Sequence, residues 1–115
     1  MNLPSPPRFP VTVGPTPTTV VSVDVRPDEL VTLQIDNLDG TQTFSGTVER
    51  RLSDAAEWSP SSIGDFSSIA PAGSAGDSVT ADLDVSGTGF LRLVGTMSGA
   101  GGDVAYVIRI GARKR

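Results

Sequence analysis

Apolar and polar residues alternate along most of the chain after residue 18. Val21, Val23 and Val25 are separated by Ser22 and Asp24, and Arg26-Pro27-Asp28 ends the run. Val31, Leu33 and Ile35 alternate with Thr32, Gln34 and Asp36 before the turn-forming Asn37-Leu38-Asp39-Gly40. In residues 41–52, Phe44 and Val48 fall on one face and Thr43, Thr47 and Glu49 on the other. Val79, Ala81, Leu83 and Val85 alternate with Thr80, Asp82 and Asp84, and Val104, Tyr106, Ile108 and Ile110 alternate with Ala105, Val107 and Arg109. A period of two is the signature of half-buried β-strands, because successive side chains leave a strand on opposite faces.

Two segments depart from this pattern. Residues 89–97 place Phe90, Leu91, Leu93 and Val94 on both faces, as in a central strand or one whose outer face meets a partner. Residues 59–76 are rich in Ser, Gly, Pro and Ala but hold Ile63, Phe66 and Ile69 at intervals of three, which predicts an irregular crossover pinned by those side chains. The best helical candidate, residues 52–58, is one or two turns long. Glycine-rich hairpin connections are expected at residues 86–89 and 98–102. The pattern predicts an all-β antiparallel sandwich of about seven short strands, immunoglobulin-like or jelly-roll-like, with a closed barrel as the main alternative.

The first 17 residues read differently. Prolines at 4, 6, 7, 10, 15 and 17 forbid a helix and favour extended polyproline-type backbone. Residues 1–18 are therefore expected to form an extended N-terminal arm reaching roughly 60 Å at most. The sandwich is expected over 19–112, with a basic tail at 113–115. Leu3, Phe9, Val11 and Val13 interrupt the prolines, so the arm is expected to dock on a neighbouring protein through Leu3, Pro6, Pro7, Phe9, Pro10, Val11 and Val13. Proline lowers the entropy such a segment loses on ordering.

Composition narrows the function classes. The 115 residues carry a formal net charge of −4, from 13 acidic and 9 basic residues, which keeps a surface soluble and repels phosphate backbones. No nucleic-acid partner is expected, although Arg113-Lys114-Arg115 forms a terminal basic triplet. The chain has no Cys and no His, which excludes disulfides and zinc sites of Cys/His type. The N-terminal residues lack the apolar core of a secretory signal, and no apolar run approaches the roughly 20 residues of a membrane span.

Catalytic equipment is expected to be absent. A nucleophile needs a base, and the many serines have neither His nor Cys near them, with the single Lys at position 114. Glu49, Asp54 and Glu57 could form a glycosidase-like carboxylate pair, but they flank Arg50 and Arg51 in a polar segment that reads as a charged turn. Asp36, Asn37 and Asp39 offer oxygen ligands for calcium, yet their spacing misses the helical calcium hand and turn chemistry explains them. No cofactor and no small-molecule substrate are expected. Trp58 reads as a cover over one end of the core, with a binding hot spot as the alternative. Arg92 and Arg109 are either stems lying over a sheet or members of interface ion pairs.

The segment from Ile35 to Thr43, the strand leading to Arg51, Trp58-Ser59-Pro60, Ile69-Ala70-Pro71-Ala72-Gly73-Ser74, the acidic run 81–85 and Phe90-Leu91-Arg92-Leu93-Val94-Gly95-Thr96 together resemble the small β-sandwich structural proteins of tailed bacteriophages. Within that group the chain is most similar to capsid decoration, or cement, proteins. The resemblance spans residues 20–110. It implies a virion protein made in the host cytoplasm that sits on the outer capsid and braces the shell. Its partners would be the major capsid protein and neighbouring copies of itself, commonly as a homotrimer. Other virion parts, such as a head-fibre, tail or connector component, and a non-viral adhesion module are the alternatives.

Overall fold

The computed structural model describes residues 7–26, 29–60, 66–83 and 89–112. These form eight strands: β1 (Phe9–Val13), β2 (Thr18–Val25), β3 (Glu29–Asn37), β4 (Phe44–Arg51), β5 (Ser59–Pro60), β6 (Ser78–Leu83), β7 (Gly89–Met97) and β8 (Gly102–Ala112). One sheet has the order β1-β8-β3-β6 and the other β2-β7-β4-β5. Every pairing is antiparallel.

The strand order decides the topology. The first four strands pair with the last four in reverse, β1 with β8, β2 with β7, β3 with β6 and β4 with β5. The chain is thus one long antiparallel hairpin, folded over so that successive strands, except β4 and β5, change sheet. This is a jelly roll and not an immunoglobulin fold.

The core lies where the alternating residues meet. Val31, Leu33 and Ile35 of β3 stand opposite Ile110, Ile108 and Tyr106 of β8 on the inner face of the first sheet. From the second sheet come Phe44 and Val48 of β4 and Leu91, Leu93 and Met97 of β7. A register shift between Thr19 and Val21 lets two consecutive valines, Val20 and Val21, both bury. A bulge does this by adding one residue and changing which face the following side chains occupy.

Residues 52–58 contain turns and no helix. The crossover that follows is pinned as its sequence suggested, because Phe66 and Ile69 are buried. Ile69 exchanges backbone hydrogen bonds with Phe44, and the Gly46 N–H donates to the Phe66 carbonyl. Ile63 lies outside the described residues, as do residues 113–115.

The expected arm is corrected from Phe9 onward. Residues 9–13 are not a free extension but an edge strand of the first sheet, paired with β8 from Tyr106 to Gly102. Its alternate residues Phe9, Val11 and Val13 face inward, and Val13 is completely buried. Pro10 is tolerated because an edge strand does not need every N–H.

Candidate functional site

The residues expected to contact a partner divide into three groups. Leu3 and Pro6 lie outside the described residues. Val11 packs against the core and Val13 is consumed by it, so neither offers a free surface. Pro7, Phe9 and Pro10 are exposed. Phe9 is 43% exposed and rests its ring on Tyr106, with centroids 5.2 Å apart and planes inclined at 31°. Arg8 fixes the entry to β1 through an ion pair with Asp36 across the outer face, at 2.7 Å.

A local feature of β8 creates the first candidate surface. This strand has eleven residues, but β1 covers only Gly102 to Tyr106. From Val107 onward β8 is paired with β3 on one side, and no described strand pairs with it on the other. Pro7, just before β1, opposes its extension, since a residue without an N–H cannot donate to a ladder. The uncovered half-edge carries Ile108, half-buried, and Ile110, 39% exposed, on the inward face beside Phe9 and Tyr106. Among the described residues, unpaired backbone and uncovered apolar side chains thus coincide.

The second candidate surface is the outer face of the β2-β7-β4-β5 sheet. Arg51 stands opposite Phe90, and Glu49 opposite Arg92. The two-residue strand β5 pairs Pro60 with Glu49 and Ser59 with Arg50, which brings Trp58 over this face. The expectation that Trp58 covers the core is therefore corrected. Its ring lies against two guanidinium groups, Arg51 and Arg92, each with its central carbon 4.4 Å from the ring centroid. Arg92 also donates to Glu49 at 2.7 Å, so it is a stem over the sheet engaged in an ion pair within the same chain. Arg109 is exposed on the outer face of the other sheet, opposite Thr32. Glu49 is held by Arg92.

The oxygen-rich turn after β3 has a structural role. The buried Asn37 amide donates to the carbonyls of Gln42, at 2.8 Å, and Ile69, at 3.2 Å, and its oxygen accepts the Asp39 N–H at 2.9 Å. Asp39 accepts the N–H groups of Thr41 and Gln42 at 2.9 and 2.8 Å. The backbone N–H groups of these two residues are the main reason its carboxyl is held below the ordinary aspartate pKa, and their side chains add to the effect. Asp36 points to the opposite surface, where Ser78, Gln34 and Arg8 bind it. Burial alone would raise its pKa, but those hydrogen bonds and the Arg8 charge outweigh it and leave it lowered. The three oxygen donors do not converge, and no metal-binding group of His, Cys, Asp and Glu exists among the described residues.

The half-edge of β8 was not visible in the sequence, because alternation shows which face a residue takes but not how far its neighbour strand extends. The one available signal was the spacing of Phe9, Val11 and Val13 at intervals of two within the proline-rich segment. Comparisons with protein-family models, with curated proteins and with solved structures return no match for this chain.

Proposed function

We propose that this protein is a non-enzymatic virion component that binds the outer surface of a phage capsid and stabilises the shell. The observation that carries this reading is the half of β8 that no described strand covers. Its free backbone groups can receive an extended segment of the capsid protein by strand addition, while Phe9, Tyr106, Ile108 and Ile110 accept alternate apolar side chains from that segment. Strand addition supplies directional hydrogen bonds and buries apolar surface together, so a short segment is enough. Many copies on one particle make modest individual contacts sufficient. The resemblance read from the sequence pattern of residues 20–110 motivates the choice of a capsid as the partner.

Removal of residues 2–17 is a poor test, because it takes away β1 and its buried Val13. The Phe9→Asp, Ile110→Asp double variant keeps the strand and charges only the half-exposed positions. Its occupancy on purified capsids, measured by co-sedimentation against wild type, is expected to fall at least tenfold while its circular dichroism stays unchanged. Equal occupancy would remove the β8 edge from the mechanism, and failure of the wild type to bind any capsid would remove the decoration reading.

A further inference from the structure

The outer face around Trp58 holds a guanidinium group that no carboxylate among the described residues pairs with. Of the two guanidinium groups against the ring, Arg92 is neutralised by Glu49 at 2.7 Å. Arg51 forms no ion pair and no hydrogen bond among the described residues, and its Nε is buried with no acceptor. The same group lies 5.3 Å from the Phe90 ring centroid, so two aromatic rings hold it in place. Leaving a buried donor without an acceptor is unfavourable, and bringing two cations onto one ring adds repulsion. A methionine would fill the same space with neither cost.

A guanidinium differs from other cations in presenting a planar fork of donors that matches a carboxylate in two-point contact. Here the fork is already oriented by Trp58 and Phe90, so little freedom is lost when an acceptor arrives. We propose that Arg51 is the receptor for a single carboxylate on a partner protein, carried by an acidic segment that lies across the outer face of the β2-β7-β4-β5 sheet. Phe90, half-buried, and Leu52, 69% exposed, flank Arg51 with apolar surface for the neighbouring residues of that segment. Trp, Arg and their apolar surroundings are the composition of an interface hot spot. A neutral sugar would need an aromatic face free for stacking, and here the Trp58 ring is already engaged by two guanidinium groups. This surface lies on the other sheet from the β8 edge, and the inference does not depend on the capsid reading.

Trp58 is the only tryptophan in the chain, so its emission reports on the site directly. The full-length protein is titrated with a synthetic peptide of alternating glutamate and serine, with the same peptide carrying glutamine, with glucuronate and with a neutral disaccharide. The glutamate peptide is expected to change Trp58 emission saturably, with affinity that weakens as salt is added. The glutamine peptide should bind at least tenfold more weakly, as should the glutamate peptide to Arg51→Met. Arg109→Met, on the other sheet, should bind as wild type. An equal response to both peptides, or an Arg51→Met protein that binds like wild type, would overturn the proposal. So would a response to glucuronate or the disaccharide without one to the peptide, which would make this a carbohydrate surface. If Arg51→Met fails to fold, the comparison of the two peptides on wild type still decides.

Discussion

The ring of Phe44 occupies the space that a side chain on Gly95 would need. Gly95 stands opposite Gly46 in the β4–β7 ladder, and Phe44 covers both. A methyl group on Gly46 would lie 2.8 Å from the ring Cε2, and one on Gly95 would overlap the ring and lie 3.0 Å from the Ser45 carbonyl. The glycines are therefore the complement of a fully buried aromatic residue, and they let the ring lie against the backbone of its own sheet.

Gly95→Ala is expected to destabilise the protein by about 1–3 kcal/mol, the usual cost of overpacking a tight core. Urea denaturation measures it. Gly40→Ala, with nothing within 4 Å of the added carbon, is the control and should be close to neutral. Adding Phe44→Leu to Gly95→Ala should recover part of the loss, a coupling that a double-mutant cycle reads directly. Purely additive effects would show that the ring and the glycine are not in contact.

Asn37→Ala should cost about 1–3 kcal/mol, because it strands the Gln42 carbonyl and the Asp39 N–H without partners and leaves the Ile69 carbonyl with the Phe44 N–H alone. Asn37 is the only buried polar side chain among the described residues of the core. Thermal unfolding checks the figure, and Asn37→Asp should be at least as damaging, since it replaces the donating amide with an acceptor that faces two carbonyl oxygens.

Acid should weaken the fold through Asp36 and Asp39. Both have folded-state pKa values below the ordinary one, so the unfolded chain takes up protons first as pH falls. Their contribution is complete above the unfolded value of about 3.9 and disappears as pH drops through the lower folded value. Asp39→Asn should be less stable than wild type at neutral pH, and the gap should narrow in acid. Urea midpoints across that range test the sign. A gap that widens in acid would mean that the hydrogen bonds from Thr41 and Gln42 do not favour the charged form.

Trp58 and Phe66 should respond very differently to truncation. Phe66 is 1% exposed in the core, and Phe66→Ala is expected to cost about 3–5 kcal/mol. Trp58 is half-buried on an outer face, where its contacts with Arg51 and Arg92 are worth about 0.5–1 kcal/mol each. Trp58→Ala should therefore cost clearly less than Phe66→Ala in parallel denaturation curves. Equal losses would restore Trp58 to the core.

The inward sets of β3 and β8 could be read from the sequence because each is exposed to one simple rule. Val31, Leu33 and Ile35, and their partners Ile110, Ile108 and Tyr106, alternate without interruption. The role of residues 89–97 as a central strand was legible too, since β7 lies between β2 and β4. Val20 was not, because only a bulge allows it to share a face with Val21. β1 was obscured by its prolines, whose preference for extended backbone fits a free arm and an edge strand equally. Trp58 was misplaced because its face is set by the two-residue pairing of β5 with β4, which no periodicity announces.

By itself the amino-acid sequence determined that this protein is built of strands, which side of most strands faces the core, and that the turn after β3 closes on its own Asn and Asp side chains. Only the tertiary structure decided which strand lies beside which, that Phe9 to Val13 belong to a sheet, and that β1 covers β8 only from Gly102 to Tyr106. The reason is one of range. Alternation is a local property that reports a side chain's face from its immediate neighbours. Pairing, by contrast, joins residues as distant as Thr12 and Asp103, 91 positions apart, whose hydroxyl and carboxylate meet at 2.8 Å only when all eight strands bury their inner faces together.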